Sequence, residues 1–259
     1  MTVFILRILI VLLFLMNARG VTASQSAQLL FEKANQASNN GDYLQALDKW
    51  DQLLEFFPDD AVALSNRGNV RFALGDFQGA IVDQTNSIDL LPNEVDSHLN
   101  RGIAEEALQL WEEAANDYNW ILEHNSEDAS ALYNLGKVRA AQSNWIQAAD
   151  LFQQASFLRS GFVMARSNKA LMIYQLGDFD EAESELRSII RKYPMVADSR
   201  AALSALLWNK GCFGEAESHW AAAVGLDSRY KEQDWLSQIR RWPPKPTKDL
   251  FEFLILERS

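Results

Sequence analysis

A 34-residue pattern repeats six times between Ala27 and Tyr230 with no inserted or deleted residue. Each repeat is numbered here from its own first residue, with Ala27 opening the first. Position 20 is then Ala46, Ala80, Ala114, Ala148, Ala182 and Ala216. Position 17 is always aromatic: Tyr43, Phe77, Trp111, Trp145, Phe179 and Phe213. Position 15 is Gly41, Gly75, Gln109, Ser143, Gly177 and Gly211, and position 32 is Pro58, Pro92, Ser126, Ser160, Pro194 and Ser228. Small, aromatic and turn residues held in phase over this length require a stack of like units that bury their core against one another.

The residue types define the unit. Glycine at position 15 takes the left-handed backbone that ends a first helix. The ring at position 17 begins a second helix, and alanine at position 20 lets the two helices approach closely. Position 24 is large in five repeats (Trp50, Tyr118, Phe152, Leu186, Trp220), with Gln84 the exception. It lies one helical turn beyond the alanine on the same face. Proline at position 32 stops the second helix. The chain is 48% apolar with only 12 Gly and 6 Pro, which suits a folded helical array and excludes a disordered one.

This pattern resembles the tetratricopeptide repeat family from Ala27 to Tyr230, and Gly68, Gly102 and Gly136 match the family's small residue at position 8. Repeats three and four lack the turn glycine, and repeats three, four and six lack the closing proline. Position 7 is Lys33, Arg67, Arg101 and Lys169 where the family usually has leucine. These are expected to be tolerated, with their stems laid on apolar surface. The resemblance implies an all-α, right-handed superhelical solenoid of six helix-turn-helix units: 27–60, 61–94, 95–128, 129–162, 163–196 and 197–230.

In that family the first helices line an inner groove through positions 2, 5, 6, 9, 12 and 13. Here position 5 gives Phe31, Leu99 and Tyr133, and position 9 gives Asn35, Asn69, Ile103, Lys137 and Leu171. Position 12 gives Phe72, Tyr174 and Trp208, and position 6 gives Asn66, Asn100, Asn134 and Asn168 in succession. Each asparagine offers one acceptor and two donors, so a ladder of them could bond the backbone of an extended partner segment. The alternative is that they only satisfy neighbouring backbone. Family members that grip a terminal carboxylate place basic residues at positions 5 and 9. Position 5 here has no Lys or Arg, and Lys137 is the single cation at position 9, so that clamp is not assembled.

The ends lie outside the repeat. Val3 to Met16 is apolar apart from Arg7, and Val21-Thr22-Ala23 offers a cleavage site before Ser24. Residues 1–23 are therefore expected to be a signal peptide and the chain to be exported, the alternative being an uncleaved anchor over residues 3–16. Cleavage leaves 22 basic against 35 acidic side chains, a net −13. That balance argues against nucleic acid as partner. The third repeat is the most acidic, with Asp96, Glu105, Glu106, Glu112, Glu113, Asp117, Glu123, Glu127 and Asp128 against Arg101. It is read as a solvated outer face, the alternative being a patch for a basic partner.

At the other end, residues 231–242 are expected to form a capping helix. Pro243, Pro244 and Pro246 would give an extended link, with Thr247 capping an apolar last helix from Lys248 to Arg258. That helix must be buried, against repeat six or against a partner or membrane surface. The segments Asp234-Trp235-Leu236, Ile239 to Pro244 and Leu250 to Leu254 look like the C-terminal extension of thylakoid-lumen tetratricopeptide proteins of cyanobacteria and chloroplasts.

His98, His124 and His219 fall in different repeats, Cys212 is the single cysteine, and no phosphate loop, nucleophile elbow or paired metal-ligand spacing occurs. The expectation is a non-enzymatic scaffold with no cofactor or metal. It would bind a protein or peptide partner and assist assembly of a complex in the thylakoid lumen or periplasm. The alternatives are a cell-envelope adaptor unrelated to photosynthesis and, more distantly, an enzyme. Membrane association is expected only through an uncleaved N-terminal segment or the C-terminal helix.

Overall fold

A computed structural model describes residues 25–257. The expected signal sequence lies outside the described residues. The chain divides into two compact bodies, one up to Leu110 and one from Trp111 on.

The first body holds α1 (residues 25–39), α2 (Tyr43–Phe56), α3 (Ala61–Ala73), α4 (Phe77–Leu90) and α5 (Val95–Ala107). The second holds α6 (Trp111–His124), α7 (Ala129–Ala141), α8 (Trp145–Leu158), α9 (Val163–Leu176), α10 (Phe179–Lys192), α11 (Ala197–Asn209) and α12 (Phe213–Leu226). A 3-10 turn (Ser228–Lys231), a π-type turn (Trp235–Ile239) and α13 (Pro244–Glu257) complete it. The fold is all-α, in tandem helix-turn-helix pairs.

The register sets the helix bounds. All six second helices begin on the position-17 ring and end at position 30. They end there with serine at position 32 as well as with proline, so proline reinforces a stop that exists without it. The turn conformation is equally general. Gly41, Gly75, Gly177 and Gly211 have φ between 77 and 91°, and Gln109 and Ser143 take the same left-handed backbone at 60 and 61°. For these two the position costs about 1–2 kcal/mol, which the fixed geometry of the repeat imposes. Side-chain caps add to the definition. Asp42, Asp76, Asn144 and Asp178 each accept a hydrogen bond from the backbone N–H three residues on, as Asp60 and Asp128 do on first helices.

The six position-20 alanines are buried, as are the large residues at position 24. A Cβ on Gly136 would lie 2.8 Å from the Phe152 ring, so the small residue at position 8 makes room for position 24. The position-7 cations do more than tolerate their place. Arg67 forks onto buried Asp83 at 2.7 and 2.9 Å and reaches Asp51 of the preceding repeat at 2.8 Å. Lys169 pairs with Glu185 at 3.3 Å. They tie first helices to second helices. The acidic third repeat is likewise not simply a solvated face, because Glu105, Glu106 and Asp117 are buried.

The C-terminal expectation needs correction. Residues 231–242 do not form one helix; the π-type turn gives way to Arg241, which has φ 56°. Pro243 to Pro246 do not form an extended link either. The last helix starts at Pro244, because the first turn of a helix has no intrahelical use for the N–H groups that Pro244 and Pro246 lack. Thr247 is therefore inside the helix, with its hydroxyl donating to the Pro243 carbonyl at 2.8 Å, and is not its cap. Among the described residues no helix is long and apolar enough to cross a membrane.

Candidate functional site

The first body carries its expected lining residues on α1, α3 and α5. Phe31, Asn35, Asn66, Phe72, Leu99, Asn100 and Ile103 are half-buried there and Asn69 is exposed. Phe31 meets Trp50 edge-on at 5.2 Å between ring centres, and Phe72 leans on Phe77 at 5.2 Å. Gln84, the polar exception at position 24, donates to the Asn69 side-chain oxygen at 2.9 Å and to the Ser65 carbonyl at 3.0 Å. Ser65 donates back to Gln84 at 2.9 Å. The buried amide thereby fixes one asparagine of this face from behind. Asn66 and Asn100 are half-buried.

The second body treats the equivalent residues differently. Asn134 is buried and accepts from Lys137 Nζ at 3.2 Å, one turn along its own helix. Lys137 and Tyr133 are half-buried, 5.8 Å from ammonium to ring centre. Asn168, Leu171 and Tyr174 are buried and Trp208 is half-buried; Leu171, Tyr174 and Trp208 share one core with the C-terminal segment, and Asn168 accepts from Arg240 of that segment.

That segment has a polar anchor and an apolar one. Arg240 donates from Nε and Nη2 to the two oxygens of Asp198 at 2.9 and 2.6 Å, and from Nη2 to the Asn168 side-chain oxygen at 3.1 Å. Tyr230 Oη and Trp242 Nε1 also donate to Asp198 Oδ1, at 2.7 and 2.8 Å. Burial works against the Arg240 charge, and the facing Asp198 carboxylate outweighs it, holding the guanidinium above its ordinary value. Burial first, then Asp198, raises Tyr230 above the ordinary tyrosine value.

The apolar anchor is α13, which packs on α11 and α9 and is not confined to repeat six. Leu250 and Phe253 are fully buried, and Phe253 sits 4.8 Å from the Trp208 ring and 5.9 Å from that of Trp220. Tyr174 donates to buried Asp249 at 2.9 Å, and Gln175 accepts from the Lys245 backbone N–H at 2.7 Å, capping the helix.

So the structure does not bring the expected residues into one uniform lining. Those of α1, α3 and α5 lie partly open in the first body; Asn168, Leu171, Tyr174 and Trp208 are covered in the second. Sequence reasoning missed Asp198 and Arg240. Asp198 occupies position 2, a lining position, and Arg240 lies two residues before Trp242 in the segment expected to be a capping helix. Exposed Cys212 stands at the turn before α12. Among the described residues no group of three or more His, Cys, Asp or Glu could hold a metal ion.

Tandem helix-turn-helix pairs in one unbroken register define the class: a helical-repeat protein. A family model described as tetratricopeptide repeat matches residues 31–93, 99–161 and 168–230, so the chain belongs to the tetratricopeptide repeat family. It is 29% identical over 150 residues to RNA polymerase II-associated protein 3 of Homo sapiens, covering 56% of this chain and 23% of that protein. It is 23% identical over 216 residues to human DnaJ homolog subfamily C member 7, covering 79% of this chain and 44% of that one. The chain thus spans less than half the length of these relatives. A solved tetratricopeptide repeat protein from Parabacteroides merdae superposes with a TM-score of 0.67 at 20% identity, over 89% of this chain and 99% of that one.

Proposed function

We propose that the chain holds an extended segment of a partner protein against the inner face of α1, α3 and α5 while a larger complex is assembled. The observation that carries this is the contrast between the two bodies. The face of α9 and α11 is filled by the chain's own tail, whereas Asn66, Asn69, Phe72, Leu99, Asn100 and Ile103 lie half-buried or exposed in the first body. Amides there can bond a partner's backbone, and the apolar side chains around them supply contact area and exclude water.

The apolar run before Ser24 and the tail's resemblance support an exported setting, the thylakoid lumen or the periplasm, and no catalytic role enters the reading. A crosslinking pull-down from the native host, with the full chain beside its Asn66→Ala/Asn100→Ala variant, tests both parts. Recovery of a lumenal or periplasmic protein, reduced at least fivefold by the double substitution, supports the reading. Equal recovery with a stably folded variant removes the ladder.

A further inference from the structure

The chain's own tail lies on α9 and α11 of the second body with a specific polar geometry. Asp198 on α11 and Asn168 on α9 converge on one guanidinium. Asn168 is itself oriented by Tyr133 of α7, to whose hydroxyl it donates at 3.4 Å. A carboxylate met at two points, with an amide oxygen to one side, matches the planar fork of arginine and not the point charge of lysine. The same carboxylate takes the indole N–H of Trp242, two residues on. The backbone leading to them is irregular: the π-type turn Trp235–Ile239 precedes Arg240, and Arg241, between Arg240 and Trp242, has φ 56°, an uncommon conformation for a side chain of that size. The tail adopts it while placing Arg240 and Trp242 together on Asp198. Beyond them α13 lays Leu250 and Phe253 against α9 and α11.

We propose that the inner face of α7, α9 and α11 is a recognition site for a partner segment with arginine two residues before tryptophan, followed by an amphipathic helix, and that residues 235–257 occupy it in cis as a competitor. This rests on reading the array as a peptide-binding scaffold. A tethered occupant faces its site at an effective concentration on the order of mM, so a partner enters by matching these contacts or when they are weakened.

The test titrates a fluorescent synthetic peptide of residues 235–257 against the full-length chain and its Arg240→Ala variant, which keeps Leu250 and Phe253 in place. The peptide should bind the variant at least tenfold more tightly than the wild type. A peptide with alanine in place of its own arginine should lose that binding. Equal affinity for the two proteins, or binding to neither, overturns the proposal. Should Arg240→Ala fail to fold, the wild-type chain decides, through hydrogen exchange over residues 235–257 with excess isotope-labelled peptide. Exchange at least threefold faster with the native peptide, and unchanged with the alanine peptide, is expected; no acceleration overturns the proposal. The probe addresses the second body alone. Its failure is therefore separable from failure of the partner site in the first body, which is read with Asn66 and Asn100 variants.

Discussion

The Asp198 carboxylate and the Arg240 guanidinium meet at two points, 2.6 and 2.9 Å apart, across 42 positions of chain. Both side chains are largely buried, and Asp198 also takes the hydroxyl of Tyr230 and the indole of Trp242. Removing one partner of such a pair strands the other charge away from water. Asp198→Ala should therefore lower stability by about 3–5 kcal/mol, read by urea denaturation with tryptophan fluorescence. A loss below about 1 kcal/mol would mean the tail is held by α13 alone.

The left-handed turns give a prediction of opposite sign. Gln109→Gly and Ser143→Gly should each stabilise the chain by about 0.5–1 kcal/mol, since glycine takes that backbone without strain but costs more entropy to order. Gly75→Ala, at φ 84°, should destabilise by about 1 kcal/mol or more. Thermal melts of the three variants check the direction, and destabilisation by both glycine substitutions would contradict it.

Close approach at position 8 can be tested against its neighbour. Gly136→Ala forces a methyl onto the Phe152 ring and should cost about 1–3 kcal/mol. Adding Phe152→Leu should recover part of that loss in a double-mutant cycle. Independent, additive losses would show that the two positions are not coupled.

Alkaline pH should weaken the tail. Tyr174 and Tyr230 are both raised above the ordinary value of 10.0, by burial first and then by Asp249 and Asp198 beside them. Above about pH 10 the unfolded chain gives up these protons while the folded chain keeps them. The folded state then binds more protons, so stability is whole below that pH and falls as the pH rises past it. Replacing both tyrosines with phenylalanine should flatten the alkaline slope. A slope unchanged in that variant would assign the alkaline loss to other groups.

The sequence made the array legible to the residue, because columns 15, 17 and 20 act locally: a turn, a helix start and a close contact within 34 positions. The tail was less legible because its structure depends on distant partners. Pro244 and Pro246 read as an interruption until the helix N-terminus that accommodates them is seen. Trp235, Leu236, Ile239 and Trp242 have helical spacing, yet Arg240 and Trp242 both reach Asp198, which one regular helix does not provide. The lining was half legible. Asn66 and Asn100 are half-buried, whereas Asn134 and Asn168 are buried and taken up by Lys137 and Arg240. Nothing in the spacing of column 6 distinguishes the two pairs.

Hydrogen exchange of the full-length chain, followed over residues 244–257 and over α11 together, tests most directly whether the chain fills the second body's inner face itself. With Leu250 and Phe253 fully buried against α9 and α11, the amides of α13 should exchange as slowly as those of α11, within about tenfold. Complete exchange of residues 244–257 within seconds while α11 stays protected would contradict the account.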